Sequence, residues 1–189
     1  MTNERNELPV RERLILAGIR EIENSGVQNF SMRRVASECG VSCTAPYKHF
    51  ADKHAFLTAI IEYVYERWDE QRDRIAAQCG GSTREKLTKI SIGFIRFLNE
   101  NPHFRSIIML RDRNSDQPMM LRLTSGSREL VQRFCEEVGM PPEVQHRKLF
   151  LVRSLIYGAA LMMDSGELSN DEADLQMVES LISREFEIE

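Results

Sequence analysis

The stretch SMRRVASECGVSCTAPYKHF, residues 31–50, decides the fold because its pattern predicts two short helices joined by a tight turn. Ser31 is a suitable N-cap and Gly40 a suitable C-terminal residue, so the first of these helices is expected over residues 32–39. Ser42 is a suitable N-cap for the second helix, which is expected over residues 42–50 and has Pro46 near its start. Two such helices packed on a preceding helix form a helix-turn-helix, whose second helix can lie in the major groove of DNA.

Three basic residues around this stretch stand where helices usually favour carboxylates. Arg33 and Arg34 fall in the first turn of the first short helix, and Lys53 falls in the first turn of the helix that follows the stretch. A cation at the positive end of a helix dipole is unfavourable by a few tenths of a kcal/mol. A bound phosphate would remove this conflict, and exposed N–H groups at helix N-termini suit phosphates. The alternative is that these are ordinary solvated surface charges.

The total charge of −4 does not favour nonspecific attraction to nucleic acid, because it repels phosphates. The charge is, however, unevenly distributed along the chain. Residues 1–55 carry eight Lys and Arg against seven Asp and Glu, whereas the remainder carries 17 against 22. The segment that contains the helix-turn-helix pattern is therefore slightly basic, and the rest of the chain is acidic.

These residues and their flanks resemble the DNA-binding domain of the TetR family of bacterial transcriptional regulators. The resemblance covers about residues 9–69 and rests on the runs FSMRRVASEC and GVSCTAPYKHFADKHAF. It implies an all-helical subunit with a small N-terminal three-helix helix-turn-helix domain over residues 9–69. It also implies a larger C-terminal helical domain over residues 70–189 that dimerises and usually binds a small ligand.

The resemblance further assigns individual residues to DNA contacts. Lysine and histidine can donate to guanine acceptors, and threonine and alanine methyl groups can touch a thymine methyl, which suits a groove-facing helix. Tyr47 and Lys53 would hold phosphates. The residues predicted to contact DNA are Ser31, Arg33, Arg34, Ser42, Cys43, Thr44, Ala45, Tyr47, Lys48, His49 and Lys53.

Length and composition exclude several other classes of protein. With 189 residues, of which 42% are hydrophobic and 29% charged, the chain is long enough to bury a core. Its longest nearly uncharged run, residues 154–163, is about half as long as a membrane-spanning helix, and the N-terminus has no apolar segment behind a basic start. We therefore expect a cytoplasmic protein without a membrane partner.

The sequence carries no enzyme motif and no paired metal-ligand spacing. It lacks GxSxG, HExxH and a phosphate-cradling glycine loop, and its four histidines are scattered. The four cysteines lack paired CxxC spacing, so we expect reduced thiols; a redox or metal switch at Cys39 and Cys43 is the alternative. We predict a protein that is not an enzyme and holds no metal or cofactor.

The periodicity of apolar residues predicts helices throughout the chain. Besides the two short helices, they are expected over residues 9–25, 53–78, 84–100, 103–111, 118–138, 142–164 and 171–187. The resemblance implies that the last two pair with their twins in a four-helix bundle across a two-fold axis. The residues predicted for this homodimer interface are Gly158, Ala159, Leu181 and Ile182. The alternative is that both helices bury their apolar faces within their own subunit.

A set of aromatic and methionine residues is the candidate lining of an effector pocket. Such residues are more often plain core, which is the alternative. No paired basic residues that would grip a strongly anionic ligand are evident, so an apolar or amphipathic effector is expected. The predicted pocket residues are Phe94, Phe97, Phe104, Met109, Met119 and Met120.

The favoured function is a ligand-responsive repressor. Its effector would shift the dimer to a spacing that no longer fits the successive major grooves of a palindromic operator on double-stranded DNA. The alternative is a DNA-bound architectural or protein-interaction factor on the same scaffold, which responds to no small molecule.

Overall fold

The computed structural model describes residues 8–102 and 127–187, and the regular structure in these ranges is entirely helical, which confirms the predicted all-α class. None of the helices described is long and apolar enough to span a membrane. The predicted helix 103–111 and the first part of helix 118–138 lie outside the described residues. The elements are α1 (Val10–Ser25), α2 (Met32–Glu38), a 3-10 helix (Pro46–Lys48), α3 (Lys53–Gln78), α4 (Thr83–Glu100), α5 (Arg128–Glu137), α6 (Pro142–Ser165) and α7 (Glu172–Glu185).

Local capping explains where the N-terminal helices begin and end. The Ser31 side chain accepts the backbone N–H of Arg34 at 3.4 Å and starts α2. The Asp52 carboxylate accepts the N–H of Ala55 at 2.8 Å and starts α3. Gly40, which follows α2, has a φ of 66°, a left-handed conformation that glycine adopts without strain.

The segment predicted as the second short α-helix forms a 3-10 turn instead. The N–H of Ala45 donates to the carbonyl of Ser42 at 2.9 Å, and the N–H of His49 donates to the carbonyl of Pro46 at 3.0 Å. Pro46 is the physical reason, because it has no N–H to offer the carbonyl of Ser42 in the α-helical pattern. The predicted α-helix over residues 42–50 is therefore wrong, and the helix covers only Pro46–Lys48.

The described residues divide into two compact units, one of residues 8–67 with residue 102 and one of residues 68–101 and 127–187. In the first unit Phe56 is fully buried, stacks on Phe50 at a centroid distance of 4.0 Å and meets Phe30 edge-on at 5.4 Å. α1 approaches α3 closely at Gly18, where a Cβ atom would lie 2.7 Å from Cδ1 of Ile60. This core holds the segment that contains α2 and the 3-10 helix.

α4 is the central helix of the second unit and packs against α5, α6 and α7. Buried aromatic rings fill the space around it, with Trp68 and Phe94 at a centroid distance of 4.7 Å. Phe134 of α5 meets Phe186 edge-on at 5.4 Å. The aromatic residues of this unit therefore contribute a large share of its buried apolar surface.

Candidate nucleic-acid interface

The 3-10 helix presents a group of exposed side chains on a backbone that is held from behind. Pro46 and Phe50 are buried and anchor the turn, whereas Tyr47 keeps 59% of its surface exposed. The exposed tyrosine offers both a ring face and a phenol hydroxyl to a partner. The other exposed residues of this group are Ser42, Cys43, Thr44, Lys48 and His49, and Ala45 is half-buried among them.

Most of these side chains are free to meet a partner. Ser42 and Thr44 bond to each other through their hydroxyl oxygens, 3.0 Å apart. The side chains of Cys43, Tyr47 and Lys48 make no hydrogen bond or ion pair with the part of the chain that the structure describes. The turn therefore offers an ammonium, a phenol and hydroxyl groups to whatever docks on it.

The flanking cations Arg33 and Lys53 have different surroundings. Arg33 is exposed and pairs with no residue in the ranges 8–102 and 127–187. Nζ of Lys53 donates to the carbonyl of Gln28 at 3.3 Å and lies 5.8 Å from the ring centroid of Phe30. Contacts within the chain therefore hold Lys53, whereas the charge of Arg33 at the first turn of α2 is not offset by any described residue.

Arg34 forms an ion pair with a carboxylate of the same chain. Its Nε donates to Oε1 of Glu21 at 2.9 Å, and its Nη2 forms a salt bridge with the same oxygen. Glu21 is only 7% exposed, and this oxygen also accepts the backbone N–H of Ser31 at 3.2 Å. The hydrogen bond to Glu21 raises the pKa of Arg34 above its ordinary value. The carboxylate of Glu21 therefore offsets the unfavourable position of Arg34 at the positive end of the helix dipole. The expectation that Arg34 needs a DNA phosphate for this purpose is wrong.

The Glu21 carboxylate is expected to hold the N-terminus of α2 onto α1. Replacement of Glu21 by alanine leaves the part-buried N–H of Ser31 without its acceptor and leaves the guanidinium of Arg34 with the carbonyl of Asn29 alone, so the free energy of unfolding should fall by about 1–3 kcal/mol. Urea denaturation measures the change. Glu38→Ala is the control, since the Arg20–Glu38 pair is partly exposed and its loss should cost about 0–1 kcal/mol. Equal losses in the two variants would show that the Glu21 contacts contribute no more than a surface ion pair.

The two cysteines near the turn differ in exposure. Sγ of Cys39 lies 3.4 Å from the carbonyl oxygen of Arg13, to which it donates, and burial raises the pKa of this thiol. Cys43 is exposed. The raised pKa disfavours the reactive thiolate at Cys39, which supports the expectation of a thiol over that of a redox switch.

The residues predicted for the dimer interface separate into two groups. Leu181 is 38% exposed, and a Cβ atom added to Gly158 would meet no other atom within 4 Å. Ala159 is 6% exposed and Ile182 is fully buried. Their own subunit covers Ala159 and Ile182, so Gly158 and Leu181 are the two predicted residues that are open to a second copy.

The residues predicted for the effector pocket are only partly described. Phe94 lines a cavity of about 80 Å³ in the second unit, together with Trp68. Phe97 is not part of this lining; it is buried, with its ring centroid 5.5 Å from that of Trp68. The remaining predicted members, Phe104, Met109, Met119 and Met120, lie outside the described residues.

The chain is similar in sequence to known regulatory proteins. Residues 14–60 match the family model for bacterial regulatory proteins of the tetR family. The chain is 30% identical over 104 residues to the uncharacterized HTH-type transcriptional regulator YerO of Bacillus subtilis (strain 168), a match that spans 55% of this chain and only 36% of YerO. It is 26% identical over 175 residues to the nucleoid occlusion factor SlmA of Sodalis glossinidius (strain morsitans), covering 92% of this chain and 81% of SlmA.

Solved structures share the fold over nearly the whole chain. A TetR family transcription regulator from Marinobacter aquaeolei VT8 has a TM-score of 0.77 at 17% identity, covering 93% of this chain and 94% of that one. FadR from Bacillus subtilis, in complex with stearoyl-CoA, has a TM-score of 0.69 at 12% identity and covers 93% and 96%. A TetR variant from Acinetobacter baumannii AYE, in complex with minocycline, has a TM-score of 0.58 at 18% identity and covers 95% of both chains.

Proposed function

We propose that this chain is a transcriptional regulator and that it represses transcription from a palindromic operator. The match of residues 14–60 to the family model for bacterial regulatory proteins of the tetR family supports this proposal. Residues 9–69 form the DNA-binding domain in this proposal, and residues 70–189 form the domain that dimerises and binds a small effector. Effector binding releases the protein from the operator.

The observation that carries the proposal is the exposed, anchored turn around the 3-10 helix. Tyr47 is 59% exposed, and Lys48 and Thr44 are exposed beside it, on a backbone fixed by the buried Pro46 and Phe50. In the proposal Lys48 donates to guanine acceptors in the major groove, and the methyl group of Thr44 contacts a thymine methyl. Cys43, Ala45 and His49 complete the base-facing surface.

Phosphate contacts fix the register of the turn on the duplex. Arg33 is an exposed cation at the N-terminus of α2, where the backbone N–H groups also favour an anion. Lys53 stands in the first turn of α3, and the exposed phenol of Tyr47 suits a phosphate oxygen. These residues contribute affinity that does not depend on the DNA sequence. Ser31, Arg34 and Ser42 make further contacts with DNA at the edge of the same surface.

Exposed apolar residues on α6 and α7 support a homodimer. On α6 they recur at helical spacing on both sides of Gly158, opposite a second apolar face that is buried within the subunit. A second copy of the chain would remove this surface from water, which favours association. The exposed apolar stripe consists of Phe150, Leu151, Leu161 and Met162 on α6 and of Met177 and Leu181 on α7.

Selection of bound sequences from a pool of random duplexes tests the proposed operator. A two-fold dimer requires an inverted repeat whose half-site centres lie about one helical turn, 10–10.5 base pairs, or a small multiple apart. We therefore expect the enriched sequences to be palindromic. Enrichment of a single half-site without its inverted copy, or no enrichment at all, would contradict the proposal.

A DNA-bound architectural or protein-interaction factor without an effector is the second candidate. The similarity to a nucleoid occlusion factor over 92% of this chain favours it. Release of the selected operator by a small-molecule extract of the cell would support the repressor instead. Operator binding that no extract fraction changes would favour the architectural factor.

A further inference from the structure

A groove between α5 and α6 brings together basic residues that are far apart in the sequence. It has a volume of about 700 Å³, and Arg128 and Arg153 both line it. Both side chains are exposed, and neither makes an ion pair with a residue in the described ranges. Glu136, the acidic residue of the lining, accepts a hydrogen bond from Gln132 at 2.9 Å. The groove therefore keeps a net positive charge with both guanidinium groups available.

The groove adjoins the smaller apolar cavity next to α4. That cavity has a volume of about 80 Å³ and includes Trp68 and Phe94 in its lining. The groove and the cavity share Val131, Leu149 and Arg153, so one ligand can extend from the basic groove to the aromatic residues. The combined site is apolar at its inner end and cationic at its outer end.

We propose that the effector is an amphipathic anion whose apolar chain lies against Trp68 and Phe94 and whose carboxylate or phosphate group binds Arg128 and Arg153. This inference rests on the proposed effector-controlled repressor and specifies the chemistry of its ligand. Guanidinium groups bind carboxylate and phosphate through charge-assisted hydrogen bonds, often two at once. Arg128 is also the first residue of α5, where the helix dipole favours an anion over a cation.

Decanoate, decyl phosphate and decanol are the probes that test the proposal, because they share one apolar chain and differ in the head group. Trp68 is the single tryptophan of the chain and lines the cavity, so its fluorescence reports occupancy. We expect decanoate or decyl phosphate to bind at least about tenfold more tightly than decanol, since hydrogen bonds to charged groups are the stronger ones. The tighter of the two anions identifies the head group as carboxylate or phosphate.

Arginine variants separate the anion site from the apolar cavity. Arg128→Ala and Arg153→Ala should each weaken binding of the preferred anion about tenfold or more. Arg128→Ala should leave decanol binding unchanged, because Arg128 lines the groove and not the apolar cavity. Arg133→Ala is the matched control, because Arg133 is an exposed arginine of the same helix that does not line the groove. Val131→Phe should weaken binding of all three probes, since Val131 lies where the groove meets the cavity, and it leaves Trp68 as the single tryptophan. Circular dichroism checks that each variant folds.

Two outcomes would overturn the inference. One is that decanol binds as tightly as both anions, and the other is that neither Arg128→Ala nor Arg153→Ala changes anion binding relative to Arg133→Ala. Failure of the proposed function gives a different result. If the preferred anion binds with the expected arginine dependence and the operator complex stays intact, effector-controlled repression is wrong and the ligand class stands.

Discussion

Gly158→Arg is expected to produce a folded monomer that binds the operator about 10²- to 10⁴-fold more weakly than the unaltered protein. The subunit itself tolerates the change, because a Cβ atom at Gly158 meets no other atom within 4 Å. In the proposed dimer, Gly158 lies among exposed apolar residues such as Leu161, which is 67% exposed, and an arginine there prevents close approach. Loss of the dimer removes the linkage between the two half-site contacts, which accounts for the size of the effect.

Light scattering and operator titration measure the two consequences of Gly158→Arg separately. Gln176→Arg is the control, since it adds the same charge to an exposed position of α7 that lies about 100° around the helix from Met177 and about 140° from Leu181. The control should remain dimeric and retain operator affinity. A Gly158→Arg protein that stays dimeric would place the interface on another surface of the subunit.

Local signals in the sequence predict most of the helices. Ser31 caps α2 as expected, and the predicted helix 53–78 coincides with α3, Lys53–Gln78. The error at residues 42–50 is also local in origin. Pro46 removes one N–H, and in a helix of two turns that is enough to convert the hydrogen-bonding pattern to 3-10.

Contacts between distant residues could not be predicted in the same way. Glu21 lies 13 residues before Arg34, and only the packing of α1 on α2 makes it the partner of Arg34. Arg128 and Arg153 stand on different helices, so no sequence spacing marks them as neighbours in one groove.

The second apolar face of α6 shows a further limit of sequence periodicity. Ala159 and Gly158 are adjacent in the sequence, yet Ala159 is buried and Gly158 borders open space. A helix with apolar residues on two faces does not reveal which face its own subunit covers. The interface set predicted from the sequence therefore mixed the two faces.

Replacement of base-contacting and phosphate-contacting residues is expected to produce distinct losses of DNA affinity. Thr44→Ala and Lys48→Ala should each lower affinity for the selected operator by about 1–3 kcal/mol and lower affinity for scrambled DNA much less, because only the operator is read at its bases. Lys53→Ala should weaken both duplexes alike and reduce the dependence of log affinity on log salt by about one per contact removed in each subunit.

Titration of Thr44→Ala on operator and scrambled duplexes at several salt concentrations tests the central claim most directly. Thr44 is exposed beside the 3-10 helix and carries no charge, so its replacement removes no charged phosphate contact. The account predicts an affinity loss confined to the operator, with the salt dependence on both duplexes unchanged. An equal loss on operator and scrambled DNA would contradict it and show that this turn does not read bases.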